Sequence, residues 1–304
     1  MTLFLEQLLN GLQFGLMLFL MAAGLTLIFG IMGIINLAHG SIYMIGAYAG
    51  TYLVAETGSF LLGVPAALAV AALAGMAIEF LVVRRLYQRD HLDQVLATFA
   101  LILIANQLVT MIFGRQPLFI PTPAFLNGSV ELLPGLVYPV YRLAIIGLGL
   151  SVAFGLYLLI NRTRIGMLVR AGSTNRDMVR ALGVDVRLLY TLVFGLGALL
   201  AGLAGFVTGP IQAVQIGMGE QILITTFVVV VVGGVGSIRG AFFASLIIGV
   251  IDTLLRSYMP AFLRQIMQGP EADALGAGIS SMGIYLLMAI VLLFRPKGLF
   301  IQQS

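Results

Sequence analysis

The side chains in this sequence that could do chemistry are few, and their spacing excludes more than it offers. There is no cysteine and there are two histidines, so disulfides and thiolate sites are ruled out. His39 and His91, far apart in sequence, supply too few ligands for a metal centre. The stretch "AHGS" lacks the G-x-S-x-G elbow of a serine hydrolase. The single lysine, Lys297, sits in "RPKGL" with no G-x-x-x-x-G-K-[ST] loop before it, so ATP has no phosphate cradle in this chain. No recognisable set of catalytic residues remains, and the expectation is a protein that binds and moves something rather than one that breaks bonds.

The informative polar residues sit inside apolar runs. "INLAHGSIYMIGAYAG" places Asn36, His39 and Ser41 in a hydrophobic segment, followed by Tyr43, Met44 and Tyr48. "LITTFVVVVVGGVGS" places Thr225 and Thr226 ahead of Gly233 and Gly234. Polar groups and broken backbone at membrane depth survive only inside protein or against a water-filled cavity, so paired glycine-broken helices point to a solute pathway. Asn36 and His39 either bond the freed backbone of the break or line that path. Tyr43, Met44 and Tyr48 suit an apolar or amino-acid side chain, or ordinary packing. Asp252 and Arg256 have the spacing of an i, i+4 ion pair, and Glu79 lies about one turn before Arg84.

These residues need long helices to hold them. The 304 residues are 60 % hydrophobic and 9 % charged, with a mean hydropathy of +1.08, far from the roughly one-quarter charged composition of soluble domains. Apolar runs near 20 residues, each able to cross a hydrocarbon core of about 30 Å, make this an all-α polytopic membrane bundle rather than a barrel. Segments at about 8–30, 34–55, 60–83, 92–114, 137–160, 188–209, 221–234, 238–256 and 278–294 predict eight or nine spans in one transmembrane domain covering 1–304. There is no Lys or Arg before Arg84, so the first run reads as a retained span rather than a signal peptide. Bases cluster at Arg84, Arg85 and Arg89, then in 162–187, then at Arg295 and Lys297. The positive-inside rule puts all three clusters in the cytoplasm, with the N-terminus outside, the C-terminus cytoplasmic, and external loops at 115–136 and 257–277. A net charge of +4 is accounted for by this topology and needs no nucleic acid. Gly197, Ala201, Gly205 and Gly209 put a small residue at every fourth position of one helix, a face for close packing within the chain or between subunits.

The loop "RAGSTNRDMVRALGV" is the charged exception. Residues 162–187 hold six of the sixteen basic side chains. Thr174 and Asp177 have capping-box spacing and Gly183 stands where a C′ glycine ends a helix, so a helix of about two turns is expected over 175–182. Its Met178, Ala181 and Leu182 share one face, and Arg176 and Arg180 lie on another, with Asp177 in reach of Arg180. So short a helix does not hold by itself in water. It needs something to lie on: the membrane surface, its own bundle, or the groove of a cytoplasmic partner.

"NLAHGSIYMIGAY", "ALLAGLAG", "VVGGVGSIRGA", the terminal "RPKGLF" and the cytoplasmic loop occur in that family's order, and the chain resembles the LivH-type permeases of bacterial ATP-binding-cassette importers for branched-chain amino acids. The resemblance implies a multi-pass protein of the bacterial inner membrane, in contact with lipid. It also implies a second permease subunit, either LivM-type or another copy, with two cytoplasmic ATPase subunits carrying ATP and Mg, and a periplasmic binding protein. It gives residues Ser173, Thr174, Arg176, Asp177, Met178, Arg180, Ala181, Leu182 and Gly183 the role of a coupling helix that docks in the ATPase. The chain departs from the family where Thr225 or Thr226 stands in place of a common lysine, and where Arg239 stands for a common proline. Leucine, isoleucine and valine head the substrates the resemblance implies, beside other amino acids, urea, short amides and small aromatic acids. An ion-gradient-driven transporter or channel fits the broken helices equally well, but it leaves the capped cytoplasmic helix without a task.

Overall fold

The structure, a computed structural model, describes residues 2–174, 176–267 and 269–300, and the side chains of Ser173, Thr174, Arg176 and Asp177 lie outside that description. The expected Thr174/Asp177 capping box and Asp177–Arg180 pair fall there.

The chain is mostly helical: α1 (Thr2–Met32), α2 (His39–Thr57), α3 (Phe60–Leu81), α4 (His91–Phe113), α5 (Val140–Arg162), α6 (Arg164–Thr174), α7 (Arg176–Ala181), α8 (Val186–Thr208), α9 (Met218–Gly233), α10 (Ile238–Leu263) and α11 (Gly269–Phe294). Seven of the described helices are long and apolar enough to cross a membrane. The two apolar segments read as interrupted became α2 and the shorter α9, which are not among the seven. Several ends are set by short-range chemistry. Asp185 caps α8 by accepting from the backbone N–H of Arg187 at 2.9 Å and Leu188 at 3.2 Å, and Ser237 caps α10 by accepting from Gly240 N–H at 3.0 Å.

Two expected loops hold more structure than the sequence showed. The stretch 257–277 was expected as an external loop, but α10 continues to Leu263 and α11 begins at Gly269. Pro260 lies in the last turn of α10, and Gly269 and Pro270 open α11, where a proline is tolerated. Beside the helices stands an antiparallel hairpin, β1 (Ser129–Leu133) with β2 (Leu136–Pro139), so the chain is not purely α. It is tied to α1 by Tyr138, whose hydroxyl donates to Asn10 Oδ1 at 3.1 Å.

α1 and α8 form the centre. The apolar window of α1 is 83 % buried and that of α8 72 %, against 11 % for α11 and 17 % for α5, whose exposed faces suit lipid. α8 packs on α1, α2 and α3 through small residues. A Cβ on Gly197 would lie 2.9 Å from the Gly24 carbonyl oxygen, one on Gly205 would lie 2.1 Å from that of Tyr43, and one on Gly202 would meet Ala71. The small-residue face is therefore used within the chain, where backbone-to-backbone approach maximises dispersion contacts that apolar burial in lipid cannot supply.

Candidate substrate pathway and coupling surface

The break between α8 and α9 builds the main polar feature. After Gly209 and Pro210 the chain runs without regular helix to Gly217, whose φ of 85° starts α9. This segment brings Gln212 and Gln215 over a cavity of 590 Å³ that is walled by α1, α2, α9 and α10. Tyr43, Gln221, Thr225, Asp252 and Arg256 supply further polar groups, and Phe14, Met218 and Ile222 an apolar side. A volume of that order accommodates a small solute, and an apolar wall with a few convergent polar groups is the usual form of such a site.

Asp252 is the most consequential member. Its residue is 4 % exposed, and Oδ2 accepts a hydrogen bond from Arg256 Nε at 2.8 Å, which confirms the expected i, i+4 pair. Its Oδ1 has no partner among the described residues. A buried carboxylate oxygen left unbonded is costly, so the cavity beside it has a ready use for a donor. Tyr43 is oriented by its hydroxyl, which donates to Thr208 Oγ1 at 2.9 Å, while Thr208 donates to the Ala204 carbonyl.

Of the residues singled out for the path, the structure brings Tyr43 and Thr225 to this cavity. Asn36, His39 and Ser41 are buried where α1 gives way to α2. Asn36 Oδ1 accepts from Ala38 N–H at 3.1 Å, and the His39 Nε2–H donates to the Met21 carbonyl at 3.3 Å, both consistent with holding the break. Met44 is fully enclosed in the core. Tyr48 packs on Phe113 and lines an apolar groove between α2, α3 and α4. Thr226 donates to the Ile222 carbonyl within α9.

Gly233 and Gly234 lie at the far end of α9. Gly234 has φ 101°, and the "RPKGLF" segment folds over it: Leu299 N–H donates to the Val232 carbonyl at 2.8 Å and Phe300 N–H to that of Gly233 at 3.2 Å. Phe300 then stacks on Phe243 of α10. The two motifs at the end of the chain thus form one strap around the α9–α10 break.

The basic stretch 162–187 folds as two helices, α6 and α7, where one was expected. Gly183, at φ 82°, closes α7 by donating to Arg180, and Val184 donates to Val179 at 3.4 Å, a Schellman ending. Val179 faces inward at 3 % exposure, whereas Met178, Ala181 and Leu182 are exposed, Leu182 at 76 %. Beside this surface, Arg84 donates to both oxygens of the fully buried Glu79, at 3.2 and 3.0 Å, and Tyr87 and Thr191 donate to the same carboxylate. Burial and the Glu79 hydrogen bond raise the Tyr87 phenol above its ordinary pKa, so it stays a donor.

Sequence reasoning read the Asp252–Arg256 pair but not its place in a cavity, and it passed over Gln212, Gln215 and Gln221. A signal existed: "GPIQAVQIGMGEQ" sets three glutamines between apolar segments where a short turn needs none.

Residues 7–293 match the family described as the branched-chain amino acid transport system / permease component. The chain is similar to the high-affinity branched-chain amino acid transport system permease protein BraD of Pseudomonas aeruginosa, 30 % identical over 97 % of this chain and 95 % of the relative. It is also similar to its LivH counterpart in Escherichia coli K12, 26 % identical over 97 % and 95 %. A shorter similarity, 32 % identical over 33 % of this chain and 30 % of the relative, joins it to the fructose import permease protein FrcC of Rhizobium meliloti. No solved structure matches. Membership in a family of transport permeases fits the seven long apolar helices among the described residues, and the chain belongs to the permease-component family of branched-chain amino acid transport systems.

Proposed function

We propose that this chain passes a branched-chain amino acid, or a related small amphipathic solute, across the bacterial inner membrane as the permease subunit of an ATP-binding-cassette importer. The observation that carries the reading is the cavity at the start of α9, polar at Asp252 and Arg256 and apolar at Phe14, Met218 and Ile222, inside a largely apolar bundle. In this reading α2 and α9 complete the bundle as the further spans, which gives nine in all, with the N-terminus outside and the C-terminus cytoplasmic. A second permease chain, LivM-type or identical, stands beside it, and a periplasmic binding protein delivers solute.

The exposed Met178, Ala181 and Leu182 face then docks in a groove of the ATPase subunit, steered by the arginines around it. Two such ATPases carry ATP and Mg. Their closure favours one of two bundle states only because the docked helices bind those states unequally.

Mg-ATP hydrolysis by the chain purified gently from its native membrane tests this. Activity in the wild type that disappears with Leu182→Asp supports a partner held through α7, since this chain has no P-loop. A folded preparation with no ATPase and with gradient-driven uptake would favour the secondary-transporter reading.

A further inference from the structure

The Asp252–Arg256 pair leaves more hydrogen-bonding capacity unused than a purely structural pair needs to. Only Nε of Arg256 engages Asp252, the guanidinium side chain is 55 % exposed, and the second carboxylate oxygen is buried without a partner. Each member therefore keeps an unused valence of opposite sign, side by side and on the same cavity wall. Phe14, Met218 and Ile222 give the same cavity an apolar lining.

We propose that this pair is the point at which a zwitterionic aliphatic α-amino acid is held during passage, its ammonium donating to Asp252 Oδ1 and its carboxylate accepting from the free N–H groups of Arg256. This rests on the permease reading and gives that reading the residues that hold its solute. The two charges of an α-amino acid are one carbon apart, so both reach neighbouring members of an i, i+4 pair while the side chain lies on the apolar wall. The charge balance argues the same way. Asp252 and Arg256 sum to zero and so does a zwitterion, so the filled site brings no net charge into the bundle. An amine or a carboxylate alone leaves one buried charge uncompensated. A neutral sugar or amide leaves the strong donors and the strong acceptor without charged partners. Because Oδ1 is closed to solvent in this structure, the Asp252 carboxyl turns toward the cavity as the ammonium arrives while Oδ2 keeps its bond to Arg256, and the ligand extends the pair into an alternating set of four charges.

The test uses the assembled transporter in proteoliposomes with its partner ATPase and leucine-loaded binding protein, and reads leucine uptake per ATP hydrolysed. Asp252→Asn keeps an acceptor for Arg256 and removes the charge. We expect assembly and stimulated ATP hydrolysis to persist while uptake per ATP falls about tenfold or more. The exchange of Asp252→Arg with Arg256→Asp keeps an ion pair but reverses its polarity, and is expected to lose uptake in the same way. Ile222→Trp fills the apolar wall without touching the pair and is expected to reduce uptake as well. A wild-type ratio in Asp252→Asn, in the exchanged pair or in Ile222→Trp overturns the assignment. If the wild-type chain itself recruits no ATPase, the importer reading fails, and this assignment falls with it for that separate reason.

Discussion

Gly40 of α2 and Gly219 of α9, remote in sequence, bring the starts of two helices into backbone contact. A Cβ on Gly40 would stand 2.4 Å from the Gly219 carbonyl oxygen, and one on Gly219 would stand 2.1 Å from that of Gly40. No side-chain rotation relieves a clash with backbone, so Gly40→Ala and Gly219→Ala should each cost about 1–3 kcal/mol through forced separation of the helices. Thermal unfolding of detergent-purified protein, followed by size-exclusion of the folded fraction, checks this. Wild-type stability in both variants would show that α2 and α9 start farther apart.

Met178→Asp and Leu182→Asp should uncouple transport while leaving insertion intact. Both side chains are exposed at 59 % and 76 %, so neither change disturbs the bundle core, yet either puts an unpaired charge into the proposed groove of the ATPase. Membrane yield should be unchanged and ATP-driven uptake should fall about tenfold or more. Normal uptake in either variant counts against α7 as the coupling helix.

Gly234→Leu should release the strap at the end of α9. The residue has φ 101°, and a Cβ there would lie 2.3 Å from the Phe300 carbonyl oxygen. Backbone in that region costs about 1–3 kcal/mol for a residue with a side chain. Limited proteolysis should cut after Lys297 in the variant and spare the wild type. Equal protection would mean the strap does not depend on Gly234.

Glu79→Gln tests the buried network of Arg84, Tyr87 and Thr191. The carboxylate is fully buried and receives hydrogen bonds from Arg84, Tyr87 and Thr191. The amide can accept from fewer of them and leaves Arg84 without its counter-charge. A loss of about 1–3 kcal/mol is expected, smaller than for a fully enclosed pair because Arg84 keeps contact with solvent. Arg84→Gln together with Glu79→Gln should recover part of that loss, and full additivity of the two changes would exclude a coupled pair.

The helices were legible in the sequence because apolar length alone marks a membrane span. Their ends were less so. α11 starts within "GPEADALGAG", a string of small and acidic residues that reads as loop until its packing on α10 is known: a Cβ on Gly276 would sit 2.7 Å from Pro260 Cα. The hairpin at 129–139 was hidden by its proline-rich surroundings, since two short strands leave only weak alternation. His39 and Asn36 were recognisable as polar residues needing partners, but the Met21 carbonyl that His39 finds belongs to a contact no local pattern encodes. The same holds at Asp252. Spacing revealed its bond to Arg256, and only the fold set Gln212, Gln215 and Thr225 on the walls of the same cavity.

The central place of α1 sets a timetable for biogenesis. Its packing partners α8 and α10 lie far downstream, and at about 5–20 residues per second a ribosome that has finished α1 needs roughly ten to forty-five seconds to reach them. During that interval α1 sits in the bilayer with its glycine notches at Gly11, Gly15 and Gly24 facing lipid or the insertion machinery instead of backbone. The nascent bundle is open at its middle until α8 arrives, so quality control in the membrane has its longest window on the first three helices.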